Sequence, residues 1–172
     1  DIEAHGAERW LGELAQALKE KRYRASPVRR VYIPKPDGKQ RPPGIPTIRD
    51  RVVQTAAVLV LAPIFEADLK PEQYAYREGR NAHDAVRHVH MLLNTGYTDV
   101  VDADLSGYFD TIPHAELMQS VARRISDRHV LALLKQWLVA AVEEDDGRGR
   151  RKRTTVAKDT KRGTPQGAPI SP

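Results

Sequence analysis

The sequence predicts an α+β protein in which helices pack on a small antiparallel sheet. Asp37-Gly38 is typical of a hairpin turn joining two short strands, the first over residues 31–33. Residues 100–104 alternate in character and carry β-branched side chains, which favours another strand. Five further stretches place apolar residues at helical spacing. These stretches are residues 7–21, 48–67, 82–94, 114–125 and 127–142.

Local signals mark where several of these elements begin. Thr47 is a candidate N-cap for the second helix, with Asp50 in the capping-box position. Pro113 precedes the fourth helix, and Asp127 is expected to cap the fifth. The third helix is expected to bury one face. The side chains of that face are Ala85, Val86, Val89 and Leu93.

Composition excludes several classes of protein. The 172 residues contain no cysteine, which rules out disulfides, zinc–thiolate sites and thiol catalysis. Lys and Arg number 28 against 23 Asp and Glu, which favours a polyanionic partner but does not separate nucleic acid from an anionic membrane. No apolar run is long enough to span a bilayer, and the first residues do not resemble a signal peptide. We expect a cytoplasmic or nucleoid-associated protein with no membrane partner.

The stretch around Asp104 is the strongest candidate for chemistry. A carboxylate at the end of a buried strand is costly unless a cation meets it, and a hard divalent ion suits carboxylate oxygens. Gly107 breaks the strand pattern, and Phe109 follows the turn as a flat apolar wall. The alternative is an ordinary strand-to-turn edge with solvated acids.

Two other stretches carry residues suited to phosphate or ligand contact. The hairpin brings Lys35 and Arg41 near one another, a cation pair that suits a triphosphate, although both could simply decorate an exposed hairpin. Near the end of the chain, Gly163 and Gly167 flank a tight turn that projects Gln166.

Several basic residues are candidates for contact with a nucleic acid backbone. They fall into three groups, for which the alternatives in chain order are a solvated helix end, a structural loop, and a solvated loop or ribbon. The acidic run at residues 143–146 is expected to form a solvated turn. The candidates in the first cluster are Arg22, Arg24, Arg29 and Arg30. Those in the loop of residues 74–84 are Arg77 and Arg80, and those in the third cluster are Arg150, Arg151, Lys152 and Arg153.

The remaining signals exclude more than they assign. The six histidines, His5, His83, His88, His90, His114 and His129, show no metal-binding spacing, so surface or capping roles are favoured over metal ligation. No phosphate-binding loop of the GxxxxGK[ST] type is present.

Four collinear motifs resemble the reverse transcriptases of bacterial group II introns. They are Ile-Pro-Lys-Pro-Asp-Gly-Lys-Gln-Arg-Pro-Pro-Gly-Ile-Pro (33–46, continuing to Gln54), Tyr-Arg-Glu-Gly-Arg-Asn-Ala-His-Asp-Ala (76–85), Asp-Ala-Asp-Leu-Ser-Gly-Tyr-Phe-Asp-Thr-Ile-Pro-His (102–114) and Arg-Gly-Thr-Pro-Gln-Gly-Ala-Pro-Ile-Ser-Pro (162–172). The resemblance extends over the chain from about residue 10.

The resemblance implies a role for each matched position. Lys35 and Arg41 match the residues that hold the incoming triphosphate. Asp104 matches the first metal-binding aspartate, with the Leu105 carbonyl as a further ligand, and the implied metal is Mg²⁺ with Mn²⁺ as the alternative. Phe109 matches the residue that excludes a ribose 2′-hydroxyl, and Gln166 matches the glutamine beside the incoming nucleotide. Two-metal phosphoryl transfer needs these chemical types.

The same resemblance implies an organisation and a set of partners. Residues 1–98 match the fingers with an N-terminal helical extension, and residues 99–172 match the first part of the palm, before the Asp-Asp motif. We therefore expect a piece of a longer protein, inactive by itself. The implied partners are an RNA template, a DNA primer, dNTP and intron RNA, with a homodimer as a further option. The parent protein is expected to copy RNA into DNA and to aid intron splicing and mobility.

Two other hypotheses compete with this interpretation. One is a reverse transcriptase of another bacterial lineage, either diversity-generating or CRISPR-associated. The other is a non-catalytic module that binds RNA or associates with itself. Polymerase activity and salt-dependent binding of intron RNA would distinguish them.

Overall fold

The computed structural model describes residues 6–34, 36, 38–145 and 150–171. Seven helices and six short strands are formed within these residues. The helices are α1 (Ala7–Lys19), α2 (Ile48–Glu66), α3 (Ala82–Asn94), α4 (Tyr108–Thr111), α5 (His114–Ala122), α6 (Arg128–Leu138) and α7 (Val156–Thr160). The strands are β1 (Val28–Arg30), β2 (Ile33–Pro34), β3 (Gln40–Arg41), β4 (Gly44–Ile45), β5 (Val142–Asp145) and β6 (Arg151–Thr154).

The α+β class and the hairpin are confirmed, but the larger sheet is mixed rather than antiparallel. Its strand order is β4-β1-β5-β6, and β1 pairs with β5 in parallel, with Val28 opposite Val142. The β1–β4 and β5–β6 pairs are antiparallel. A parallel pair needs a long crossover, and here the intervening helices supply it.

The strands of this sheet come from both predicted regions. Strands β1 and β4 lie before residue 98, whereas β5 and β6 lie after it. The division into fingers and partial palm at residues 98 and 99 stays a prediction, and the sheet joins the two sides of that boundary.

The hairpin arm consists of β2 and β3, with Ile33 opposite Arg41 and Pro34 opposite Gln40. It continues outward from the β1–β4 pair, in which Arg29 lies opposite Ile45. The sequence predicted one strand over residues 31–33. Instead, Val31 and Tyr32 separate two strands. The Val31 amide donates to the Pro43 carbonyl (3.0 Å) in the register shared by both pairs, but Pro42 and Pro43 have no N–H to donate in return.

The core is organised around a buried polar network. Leu14, Tyr23, Val53 and Trp137 form the central cluster and bring together α1, α2 and α6. The Tyr23 hydroxyl donates to the Asp50 carboxylate (2.6 Å) and accepts from the Trp137 indole N–H (3.0 Å). Burial and the bond to Asp50 together raise the pKa of Tyr23 far above its ordinary value.

The predicted N-caps of α2 and α6 are confirmed. The Thr47 hydroxyl accepts from the Asp50 amide (3.2 Å), and Asp127 accepts from the amides of His129 and Val130. These amides would otherwise lack partners in the first helical turn. The hydrogen bonds at Asp127 lower the pKa of its carboxyl group.

The predicted fifth helix was too long at its end. Helix α6 stops at Leu138, and Val142 begins β5, which carries the acidic run that was expected to be a turn. Because each acidic residue of β5 lies opposite a basic residue of β6, the strand pairing matches the charges. We call β5, residues 146–150 and β6 the charged ribbon; residues 146–149 lie outside the described part.

Two further predictions fail in the middle of the chain. Residues 97–105 form no strand in the described structure, and Val101 is 94% exposed. A strand needs a neighbour for its N–H and C=O groups, and no described strand pairs with this segment. Helix α3 forms as predicted, but Val86, Val89 and Leu93, expected to be inward, are exposed.

No helix in the described ranges is both long and apolar enough to cross a bilayer.

Candidate nucleotide-binding cleft

A cleft of about 610 Å³ opens between the hairpin arm, the segment before α4 and the turn at Gln166. Three stretches that are distant in sequence supply its walls. The lining residues are Gln40, Arg41, Pro42, Ala103, Asp104, Leu105, Gly107, Tyr108, Phe109, Asp110 and Gln166. Five of the six residues that the sequence singled out for substrate or metal contact therefore share one space. The sixth, Lys35, lies outside the described residues.

Arg41 reaches the cleft from the hairpin arm. Its position on β3 is held by the pairing with Ile33 on β2. The Arg41 Nε–H donates to the Gln166 side-chain oxygen at 3.4 Å, a long contact that leaves the guanidinium exposed. A planar fork of donors at the mouth of a cleft suits an anionic group with several oxygens.

Asp104 lies on the opposite wall and is exposed. No donor among the described residues forms a hydrogen bond with its carboxylate, so its oxygens remain open to the cleft. Directly after it, Gly107 adopts a φ of 58° and turns the chain into α4. The Thr111 hydroxyl donates to the Gly107 carbonyl (3.0 Å), which fixes that turn.

Phe109 is half-buried beside this turn. Its ring packs edge-to-face against Tyr108, with centroids 5.5 Å apart. The pair forms a rigid aromatic wall at the side of the cleft that also carries Asp104.

Residues 162–167 connect the two walls, and we call them the bridging loop. At one end, the Thr164 amide donates to the Phe109 carbonyl at 2.7 Å. At the other end, the Gly44 amide donates to the Gln166 carbonyl, also at 2.7 Å. Gly167 packs so closely on Pro43 that an added Cβ would lie 3.3 Å from the proline side chain. Gln166 is thereby set between the hairpin arm and the Phe109 turn.

The donors on the cleft wall fit a hard divalent cation in type but form an incomplete set. Asp104 and Asp110 offer carboxylates, and Leu105 offers a backbone carbonyl. Among the described residues, no group of three or more His, Cys, Asp or Glu side chains is arranged to hold a metal. Asp110 was not singled out from the sequence, although it lies within the same motif as Asp104 and Phe109.

The first basic cluster is unevenly available for contact with an anion. Arg22 pairs with Glu20, and Arg24 donates to the carbonyls of Lys21 and Tyr23. Arg29 is exposed on β1. Arg30 is half-buried and lies 3.4 Å from Glu144 of β5, which ties it to the sheet.

Arg77 holds its own loop together. Its side chain is 11% exposed, pairs with Glu66 and donates to the carbonyls of Lys70 (2.7 Å) and Gln73 (3.0 Å). These internal contacts leave little of the guanidinium open to a phosphate, and its role as a nucleic-acid contact stays a prediction. Arg80 is exposed and stacks over the Tyr74 ring at 5.6 Å.

The third cluster lies on the charged ribbon. Arg151, Lys152 and Arg153 stand opposite Asp145, Glu144 and Glu143. Arg151 also lies 3.8 Å from Glu143, and Arg150 is exposed just before β6. The ribbon is therefore more nearly neutral than its basic strand suggests.

Comparisons with known proteins agree with these motifs. Residues 33–172 match the family model for reverse transcriptase (RNA-dependent DNA polymerase). Protein YkfC of Escherichia coli is 42% identical over 87% of this chain, and the group II intron-encoded protein LtrA of Lactococcus lactis is 31% identical over 96%. The chain spans 38% of the length of YkfC and 26% of that of LtrA.

A solved structure agrees at the level of the fold. The matching chain belongs to a structure described as a partial Cas6-RT-Cas1–Cas2 complex, with a TM-score of 0.58 and 23% identity over 96% of this chain and 27% of that one. The predicted resemblance to group II intron-encoded proteins is confirmed by LtrA. The chain therefore belongs to the reverse transcriptase (RNA-dependent DNA polymerase) family.

Proposed function

We propose that the protein to which this chain belongs copies RNA into DNA, and that the cleft receives the incoming deoxynucleoside triphosphate. One observation carries the proposal. Arg41, Asp104, Phe109 and Gln166 come from three distant motifs and line one cleft. Each has the chemical type that its position requires: a cation, a carboxylate, an aromatic wall and an amide.

The chain's own residues divide the work of binding and orientation. Arg41, together with Lys35, would hold the triphosphate. Asp104 and the Leu105 carbonyl would hold a divalent ion, Mg²⁺ or Mn²⁺, which in two-metal transfer neutralises charge on the reacting phosphate oxygens. Phe109 would lie against the sugar, where its ring leaves no room for a 2′-hydroxyl. Gln166 would contact the nucleotide from the bridging loop.

The partners we propose are an RNA template, a DNA primer and intron RNA. LtrA is named as a group II intron-encoded protein, which favours a role in intron splicing and mobility in the bacterial cytoplasm. Exposed cations on Arg29, Arg80 and the charged ribbon would contact phosphates without reading bases. A homodimer also remains a prediction.

Primer extension on an RNA template by the full-length protein tests this function. Asp104→Asn should lower DNA synthesis by at least about a thousandfold, or about 4 kcal/mol, while RNA affinity changes little. Asp102→Asn is the matched control, because Asp102 is exposed in the same segment but does not line the cleft. Synthesis within about tenfold of the unaltered protein would show that Asp104 is not a metal ligand.

The 172 residues alone are proposed to be inactive, because the described part contains no complete set of metal-binding side chains. Extension above background by a pure sample of this chain would contradict that. If the full-length protein binds intron RNA but synthesises no DNA under any condition, the non-catalytic RNA-binding module becomes the better hypothesis.

A further inference from the structure

His114 is buried directly behind the cleft. It is 8% exposed and begins α5, three residues after the end of α4. The sequence indicated a surface or capping histidine, so that prediction is wrong for His114. Buried imidazoles are expected to have hydrogen-bond partners, and the partner here is part of the bridging loop.

The imidazole Nε2 lies 2.7 Å from the Gly163 carbonyl oxygen. Because a carbonyl only accepts, Nε2 must carry the proton and donate it. The backbone of His114 adds a second bond, from its amide to the Lys161 carbonyl (2.9 Å). Both bonds hold the start of the bridging loop against α5.

Gly163 is also held from its other side. Its amide donates to the Ile112 carbonyl at 2.8 Å, and its φ is +83°. A Cβ at this position would lie 3.0 Å from the Asp110 carbonyl oxygen, which leaves no space for a side chain. Gly163 of the bridging loop is therefore held in a close-packed position between His114 and the end of α4.

Gly163 lies between the contacts of two residues that are proposed to face the nucleotide, Phe109 and Gln166. One residue after Gly163, the Thr164 amide bonds to Phe109, and two residues further on Gln166 bonds to Gly44 and contacts Arg41. A shift of Gly163 would move Phe109 and Gln166 relative to each other. Misplacement of about 1 Å can cost about a hundredfold in rate.

We propose that His114 is a positioning residue. Its Nε2–H holds the Gly163 carbonyl and so sets the distance across the cleft between the Phe109 ring and the Gln166 side chain. It does not touch the substrate or the metal. This inference rests on the proposed function of the cleft.

Kinetics of the full-length protein test the positioning role. His114→Phe keeps an aromatic ring and removes the donor, whereas His114→Gln keeps an amide donor. His114→Phe should raise the KM for dNTP about tenfold and reduce selectivity against ribonucleotides, and His114→Gln should recover most of both losses. His129→Gln is the control, because His129 is exposed on α6. Equal losses for both variants at His114, or kcat lowered with KM and sugar selectivity unchanged, would overturn the role.

A measurement on the 172-residue chain separates this inference from the proposed polymerase function. Nitrogen-15 NMR should show His114 protonated at Nε2, with a slowly exchanging proton. His114→Phe, or Gly163→Ala if that variant does not fold, should shift the amide signals of Phe109, Thr164 and Gln166 and leave that of Leu14 unchanged. An imidazole protonated at Nδ1 alone, or shifts confined to α5, would overturn the inference even if DNA synthesis were observed.

Discussion

Two aspartates show how differently this chain uses the same side chain. Asp50 is 1% exposed and accepts hydrogen bonds from the Tyr23 hydroxyl (2.6 Å), the Thr47 hydroxyl (2.7 Å) and the Ser26 amide (3.1 Å). Asp104 is exposed on the cleft wall, and no described donor bonds to its carboxylate. Both environments follow from the cost of removing a carboxylate from water. A carboxylate needs either hydrogen-bond donors inside the protein or access to solvent and ligands.

The surroundings of the two aspartates differ in the same way. Asp50 lies where α2, the residues after α1 and Trp137 of α6 meet, and its hydrogen bonds join these parts of the core. Asp104 lies in a segment that pairs with none of the described strands, next to a turn fixed by Gly107. The comparison indicates that the first aspartate holds the fold together, whereas the second is exposed to the cleft.

Stability measurements give the largest expected difference. Asp50→Ala leaves three donors without their acceptor and should lower the free energy of unfolding by about 3 kcal/mol or more. Asp104→Ala should change it by less than about 0.5 kcal/mol, as for an exposed residue. Urea denaturation of the 172-residue chain measures both. Similar losses for the two variants would show that Asp104 also stabilises the fold.

A substitution at Phe109 tests the exposed cleft that contains Asp104. Phe109→Ala in the full-length protein should lower the preference for dNTP over rNTP by at least about tenfold, or about 1.4 kcal/mol, because the ring no longer fills the space beside the sugar. Tyr108→Phe keeps an aromatic ring on the same wall and should leave the preference unchanged. Competitive incorporation assays provide the measurement, and an unaltered ratio after Phe109→Ala would exclude Phe109 as the sugar-selecting residue.

A substitution at Tyr23 tests the buried network around Asp50. Tyr23→Phe removes the hydroxyl that joins Asp50 to Trp137 and should lower the free energy of unfolding by about 1 to 2 kcal/mol. Tyr32→Phe is the matched control, because that hydroxyl makes an exposed bond to Glu144 at 3.1 Å. An equal effect of the two substitutions would show that burial of the network adds nothing.

Tyr23 also makes the stability of this buried network depend on pH. Its pKa is raised in the folded chain, so above the ordinary tyrosine pKa of about 10 the unfolded chain loses a proton that the folded chain keeps. Stability from Tyr23 is therefore present below that pH and is lost as the pH rises toward the raised pKa. In Tyr23→Phe this alkaline loss should be smaller, and an unchanged slope between pH 10 and 11 would refute the assignment.

The smallest expected effect concerns the charged ribbon. Neutralising Arg150, Arg151, Lys152 and Arg153 together would flatten the slope of log affinity for single-stranded RNA against log salt by roughly 3 if each bound one phosphate independently. Because acidic residues lie opposite three of them, we expect a change of about 1 and a loss of affinity of a few-fold.

A reverse substitution separates the possible outcomes for the ribbon. Glu143→Gln with Asp145→Asn removes acidic charge from β5 and should strengthen RNA binding. A flattening of 3 in the fourfold variant would mean that the β5 acids do not compete with RNA. No change in either variant would mean that the ribbon does not contact RNA at all.

The sequence by itself determined the features that depend on neighbouring residues. Thr47 and Asp127 cap their helices as predicted, and β2 and β3 pair as the two strands of the predicted hairpin. Caps and turns depend on residues within a few positions, so local patterns suffice to predict them. The motif order also identified Arg41, Asp104, Leu105, Phe109 and Gln166, which the structure brings to one cleft.

Only the tertiary structure decided the features that depend on distant residues. The alternation at residues 100–104 predicted a strand, but a strand also requires a partner, and none pairs there in the described chain. Conversely, Val142 was predicted as the end of a helix but instead begins β5 and pairs with Val28, which is 114 positions away and invisible to a local pattern. His114 has no local signal at all. It is buried because Gly163, brought close by the β-bridge between Pro113 and Arg162, presents a carbonyl to its ring.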